Sequence, residues 1–380
     1  MMPLADKHLR LYMIPRDLYR LLQCPTCGSR NLYISAAAVH CIDCGNDYPK
    51  RDGFIDLMPR GTAFDYVSKY VTEEADMAEE LDYRDLAPPL LAAGVRQRVL
   101  RRMLRLQPQD HVLDNGCGNG RFAVWNADAV ALMVGADPAT LYADAAIQSV
   151  ALAQAEGRRL PFADGSFDKA LSVDVLEHFP IDVIDAYLAE TARVLRPGGR
   201  LAAFSNTKEL SRLQPLINLS RRLGQWFVKR GVYDFEREAR RKSDHVKALR
   251  TFDEVEAALE RAGLRVVEVR FWNTIFTSFV EHVLMKLGEA LVARNRSPRA
   301  ESSRPASTAA DAQTSAGTQR EIVARRRIRH HLTPRSPVYW GLSMLTLLME
   351  LDVWLWGRLR TGPYFVLAEK VPEPSSMRQA

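Results

Sequence analysis

The 380-residue chain has little of several things that would define a simpler protein. No run in it reaches about eighteen uninterrupted apolar residues, so no ordinary membrane-spanning helix is expected. The opening stretch MMPLADKHLRLYMIPRD has no apolar core followed by small residues, and the expectation is a chain without a signal peptide. Charge of one sign is also scarce. The 52 Lys and Arg against 46 Asp and Glu leave +6, too mild for an obligatory DNA coater but compatible with RNA or an anionic membrane surface. There are only five cysteines, and four fall in two close pairs near the front. Without an export signal, metal ligation is the better reading of those pairs than disulfides. The expected location is cytoplasmic, with the inner face of the membrane as an allowed place of association. Apolar residues are plentiful at 47%, enough for a sizeable core, and the length suits two or three domains of roughly 150 residues.

Cys24-Pro-Thr-Cys27 and Cys41-Ile-Asp-Cys44 are two CxxC knuckles separated by thirteen residues. Each lets two thiolates converge on one ion, and LYISAAAVH between them can form a short hairpin. Four sulfurs suit tetrahedral Zn2+, and Gly28 and Gly45 permit the tight turns behind each knuckle. With no ligand position left open, such a site is structural. A segment this small needs the ion, because metal binding can supply roughly 10–16 kcal/mol of folding free energy. An iron centre is the alternative occupant of the same ligands. His40 beside Cys41 reads as a surface histidine.

From about residue 63 the character changes. FDYVSKY reads as a short helix, and Val95–Leu106 as a basic amphipathic one. His111-Val-Leu-Asp-Asn-Gly-Cys-Gly-Asn-Gly120 reads as a buried strand opening onto a glycine-rich turn. Strand and helix signals then alternate: ALMVGAD, a helix over Ala139–Ala153, FDKALSVD, a helix over Ile181–Leu195, a Pro-Gly-Gly turn and the strand Arg200–Phe204. That rhythm predicts a parallel sheet with helices on both faces. Gly116, Gly118 and Gly120 let a ligand approach the backbone at the end of the first strand. Asp114 there would accept from an ammonium group and repel a pyrophosphate. Asp137 ends the second strand, where a carboxylate can take both hydroxyls of a ribose. S-adenosylmethionine fits a ligand with a ribose, a cationic amino-acid end and no phosphate.

VLDNGCGNG, LPFADGSFDKALSVDVLEHF and VLRPGG, in that order, resemble the landmarks of the class I methyltransferases, in their small-molecule branch. The likeness covers about residues 63–205, resumes at HVKALRTFDEVEAALERAGLRVVEVR and ends at YFVLAEK. It implies an α/β, Rossmann-like seven-stranded sheet with a long helical insertion before the last strand. It also implies roles for residues. Asp114, Gly116, Cys117 and Gly118 would line the methionine part, Asp137 the ribose, and Glu156 the adenine amine. Leu160 and Phe162 would enclose the ring, with the core as the alternative place for both and for Leu176. Ser172 and Asp174 would sit where the fourth strand meets the methionine end, and Tyr70 would cap the cofactor. His178 is the candidate general base, since an imidazole takes a proton near pH 7. His245 is the second candidate.

The expected organisation is a ribbon over 18–60, a methyltransferase core over 61–271 with a substrate lid at 206–250, an apolar helical insertion over 272–363, a last strand over 364–371 and a tail over 372–380. Within the insertion, 294–335 reads as a disordered basic linker. The stretch PVYWGLSMLTLLMELDVWLWGRLR has a mostly apolar run of only about twelve residues, which predicts an interfacial helix rather than a spanning one. Peripheral membrane contact is therefore expected through 272–357, with an internal lid or an oligomer contact as alternatives. The expected activity is methyl transfer to a small or lipid-like apolar acceptor such as an isoprenoid, quinone or secondary metabolite. Two alternatives stand beside it. The four-cysteine ribbon ending in Gly53-Phe-Ile-Asp-Leu-Met-Pro59 resembles that of ribosomal RNA guanine methyltransferases, which would make RNA the partner. A non-catalytic cofactor-binding scaffold is the other.

Overall fold

The computed structural model describes residues 14–61, 86–233, 235, 245–294, 328–329 and 331–372. FDYVSKY, Tyr70 and most of the 294–335 linker lie outside them.

After α1 (Arg16–Leu21), the front of the chain forms β1 (Leu32–Ile34), β2 (Ala38–Cys41), β3 (Asp47–Arg51) and β4 (Phe54–Asp56). Next come α2 (Leu91–Leu104), β5 (His111–Asn115), α3 (Arg121–Val124), β6 (Leu132–Asp137), α4 (Asp144–Ser149) and β7 (Ala151–Gln154). The core continues with β8 (Phe167–Val173), α5 (Ile181–Val194), β9 (Leu195–Asn206), α6 (Gln214–Lys229), α7 (Phe252–Arg261) and β10 (Leu264–Phe271). The insertion holds α8 (Ile275–Phe279), a π-helical turn over Val280–Met285, α9 (Lys286–Arg294) and α10 (Pro337–Trp356), and β11 (Pro363–Lys370) closes the sheet.

The strands form one sheet in the order β1-β2-β3-β4-β7-β6-β5-β8-β9-β11-β10. The seven strands from β7 to β10 have the Rossmann-type methyltransferase topology, parallel except for β11, which runs antiparallel to both β9 and β10. β5 sits centrally, with β6 on one side and β8 on the other. The chain reverses direction of travel across the sheet there, and ligand crevices open beyond the carboxyl ends of strands at such a point.

The ribbon is fused to this sheet. β4, from the phrase GFID, pairs in parallel with β7 through Phe54–Leu152, Ile55–Ala153 and Asp56–Gln154. Leu18, Leu22 and Ile55 share one hydrophobic cluster with Leu113, Leu160 and Phe162. The turn into β4 is tight against α4, since a β-carbon on Gly53 (φ +90°) would lie 2.3 Å from the Ile147 side chain.

Three local expectations are corrected. The helix expected over Ala139–Ala153 is only Asp144–Ser149, because Ala151–Gln154 is a strand buried between β6 and β4. Pairing on both edges overrides the helix preference of ALAQA. The Pro-Gly-Gly turn lies within β9 as an irregularity between the paired residues Leu195 and Arg200. Lastly, α10 is twenty residues long, and by length and composition it could cross a membrane. The polar residues that interrupt its apolar run in sequence are accounted for on its inner side. The Thr346 hydroxyl accepts the Leu91 N–H at 2.7 Å, Glu350 binds Arg98 and Arg102 of α2, and Asp352 is fully buried.

Candidate active site

The loop after β5 is built for close approach. Gly116, Gly118 and Gly120 have φ of +80°, +54° and +80°, a region open to glycine at little strain. A β-carbon on Gly116 would meet Val175 at 2.5 Å, while one on Gly118 would meet nothing within 4 Å, so open space faces that residue. Asp114 is 1% exposed beneath this loop, and its Oδ2 makes no hydrogen bond among the described residues. Burial, with Asp137 nearby as a second cause, pushes its carboxyl up to about 7. A buried carboxylate with a vacant oxygen calls for a cation. Asp137 holds the loop, accepting the Gly118 N–H at 2.8 Å and the Ala139 N–H at 2.9 Å. Cys117 is buried, and its sulfur packs on Gly135, where a β-carbon would come within 3.0 Å.

Other cofactor candidates are placed differently. Glu156 is buried beyond the end of β7 and paired with Arg158. Ser172 is buried within β8, its Oγ 2.8 Å from the Tyr187 hydroxyl, which donates to the Asn115 carbonyl at the same distance. Leu160 and Phe162 lie in the core. The Leu160 N–H bonds Glu190, and Phe162 meets Phe167 edge-on at 5.1 Å.

Past β8 the backbone turns through Asp174, whose φ of +58° is rare for a residue with a side chain. Arg96 of α2 holds its carboxylate at 3.1 Å and stacks over Phe204. The short helix Leu176–His178 then presents Glu177, His178 and, from the 206–250 insertion, His245. The two imidazoles meet edge-on with centroids 4.7 Å apart. Glu177, 4% exposed, accepts the Ser205 hydroxyl, and its carbonyl takes the Lys247 N–H at 2.9 Å, which ties the insertion to the site. Burial, then Asp174, pushes the Glu177 carboxyl up to about 7. The ligand atoms of Glu177, His178 and His245 lie within 4.8 Å of one another, close enough to hold a metal ion. The sequence names both histidines as candidates, and the structure sets Glu177 beside them and brings in Arg96 and Tyr187, which the sequence does not single out. Only the EH pair in DVLEHF hinted at Glu177.

At the front, the four cysteine sulfurs also lie within 4.8 Å of one another, with Cys24–Cys44 and Cys27–Cys41 at 3.6 Å. Tetrahedral zinc–thiolate bonds set sulfurs about 3.8 Å apart. Gly28 and Gly45, both at positive φ, close the two knuckle turns onto the Cys24 and Cys41 carbonyls. Tyr48 hydroxyl lies 3.2 Å from Cys24 Sγ, and Asn46 Nδ2 donates to Cys44 Sγ at 3.2 Å, the outer contacts a thiolate site needs. The Asn46 N–H leads the causes that pull Cys44 down to about 6. This cluster can chelate a metal.

The fold is that of a class I S-adenosylmethionine-dependent methyltransferase. The profile of a methyltransferase-domain family matches residues 113–203, from β5 into β9. Among curated relatives, the chain is 34% identical over 168 residues to Methyltransferase GfsG of Streptomyces halstedii, covering 37% of this chain and 59% of that one. It is 32% identical over 181 residues to 27-O-demethylrifamycin SV methyltransferase of Amycolatopsis mediterranei, covering 43% and 57%. Ubiquinone/menaquinone biosynthesis C-methyltransferase UbiE of Rubrivivax gelatinosus is 31% identical over 164 residues, covering 38% and 61%. The chain thus spans about three fifths of the length of each of these relatives.

Proposed function

We propose that the protein transfers a methyl group from S-adenosylmethionine to an apolar, lipid-like acceptor such as an isoprenoid, quinone or secondary metabolite. The carrying observation is the pairing of two half-sites across β5 and β8: an open glycine loop over the vacant Asp114 oxygen, and the Glu177–His178–His245 cluster facing the insertion. The named activities of the matched relatives fall in this substrate range. When bound, the cofactor supplies an electrophilic methyl group. The chain's own residues supply alignment and proton handling. Asp114 would receive the cationic amino-acid end, Asp137 the ribose and Glu156 the adenine side. His178 would take the proton from the acceptor, with Glu177 and His245 holding the charge that results. The ribbon would carry structural Zn2+ on Cys24, Cys27, Cys41 and Cys44.

The test is a label partition. Protein, methyl-labelled S-adenosylmethionine and lysate of the source cells are incubated, then separated into organic, RNA and protein fractions. Label in the organic fraction supports the reading. Label in RNA overturns it in favour of a ribosomal RNA guanine substrate held by the ribbon, and cofactor binding without any transfer makes the protein a scaffold. Within the organic product, His178→Ala is expected to lower kcat by about 10²–10⁴ with cofactor affinity unchanged. A metal ion bound in addition to any held by the four cysteines, and lost from His178→Ala, would recast the cluster as a metal site.

A further inference from the structure

The two sides of α10 differ in kind. Its inner side is committed to the fold through Thr346, Glu350 and Asp352. Its outer side carries Trp340, Met344, Leu347, Leu351 and Trp354 at alternating steps of four and three residues, one continuous row. All five are exposed, Met344 to 67% and Trp354 to 77%. A second outward row stands on α6, at Leu216, Leu219, Leu223 and Trp226. With Phe279 of α8, the last three line an open apolar depression of about 490 Å³. α6 and α10 both pack on α8, so one three-helix unit carries both rows.

Among the described residues, the exposed charges on α6 and beside the two ends of α10 are basic. Arg221, Arg222, Lys229 and Arg230 are exposed on or just after α6, and Arg335 and Arg358 flank the two ends of α10. No acid occurs between Leu210 and Tyr233. The two acids of α10 are turned inward, Glu350 onto Arg98 and Arg102, Asp352 onto the N–H groups of Ile275, Phe276 and Thr277.

We propose that this unit docks on an anionic bilayer, with α10 lying in the plane of the interface. Its exposed row enters the acyl boundary, Trp340 and Trp354 sit at headgroup depth near its two ends, and the arginines meet lipid phosphate. α6 adds a second contact outside 272–357, the segment in which the sequence places membrane contact. A second copy of the chain is the poorer occupant, since it would set the exposed arginines of α6 and of the α10 ends against their own copies. Spanning is excluded by the inner contacts. Crossing would strip Glu350 and Asp352 from their partners and leave them in hydrocarbon. The docking face stands independently of the methyl-transfer reading.

The test is co-sedimentation of the full chain with phosphatidylcholine vesicles, with and without phosphatidylglycerol. Binding is expected only with the anionic lipid, with a blue shift of tryptophan emission and release by high salt. The triple substitution Met344→Glu, Leu347→Glu, Leu351→Glu is expected to weaken partitioning by about tenfold or more. These positions are exposed, so Tm and S-adenosylmethionine binding should not change, which separates this failure from failure of the active-site reading. No binding to either vesicle overturns the proposal. So does retention on the vesicles through alkaline carbonate, which marks a spanning helix. A wild-type dimer that the triple variant splits in lipid-free buffer, without vesicle binding, assigns the face to a second copy instead.

Discussion

At the scale of single residues, the most informative group is Asp114. Sequence places it correctly at the end of a strand before a glycine turn, because that position follows from local pattern. Its state does not follow from pattern. Burial and the neighbouring Asp137 raise its carboxyl to about 7, and one oxygen is left without a partner among the described residues. A cationic ligand selects the ionised form. Below pH 7 binding must therefore release a proton, and affinity should rise up to about tenfold per pH unit until it levels above 7. Calorimetry of S-adenosylmethionine binding in buffers of different ionisation enthalpy measures that proton directly. Uptake of no proton by the buffer at pH 6 would show that Asp114 is already ionised. Asp114→Asn should flatten the pH dependence and weaken binding by about 1.5–3 kcal/mol, the range for a hydrogen bond to a charged group. Glu177 was harder to see in the sequence for the same physical reason. Ser205, which donates to its carboxylate, and Lys247, whose N–H bonds its carbonyl, come from separate distant segments, and only tertiary closure brings them to Glu177.

Among the elements, the insertion shows best where pattern reading stops. The apolar content of 272–363 is plain in the sequence, and so is the break in apolar run that argued against a long spanning helix. Which polar residues face inward could not be read, because that depends on α8 and α2 packing against α10. Asp352 is the clearest case. It lies fully buried in α10 yet accepts from Ile275, Phe276 and Thr277 at 3.1, 2.9 and 2.7 Å, capping α8 from another helix. Asp352→Ala would strand those three N–H groups and should destabilise the chain by about 2–3 kcal/mol. Urea unfolding followed by circular dichroism checks it. The pH dependence has a definite sign. Burial raises the native carboxyl to about 6 from an ordinary value of 3.8, so the folded state binds the proton more tightly. Its contribution to stability is thus present below pH 4 and declines as pH rises to about 6. Asp352→Asn should abolish that decline, and an unchanged slope would assign it to other groups. The β7 error has the same origin, since ALAQA is helical by propensity and a strand only because β4 and β6 flank it.

Over the whole molecule, the ribbon and the catalytic sheet are one structure. The sequence separates them at about residue 60, where composition changes. β4 instead pairs with β7, Leu57 N–H bonds the Gln154 carbonyl at 2.9 Å, and Gln23 N–H bonds the Pro161 carbonyl at 3.0 Å. A metal held by Cys24, Cys27, Cys41 and Cys44 would therefore do more than fold a small appendage. β3 and β4 carry the free edge of β7, and β7 leads to Glu156. Removing the metal should release this edge and loosen the far side of the cofactor crevice, not detach an independent module. Chelation is expected to lower the main thermal transition and weaken S-adenosylmethionine binding in the same titration. Four thiols should become reactive together, with Cys117 staying buried under Gly135. Calorimetry with thiol counting reads both effects. A chain that loses its metal, exposes four thiols and keeps its main transition and cofactor affinity would have a ribbon that is energetically separate, and the continuous β4–β7 seam would count for little. If Tm and affinity fall together, the seam makes the metal a determinant of the active site from the opposite end of the sheet.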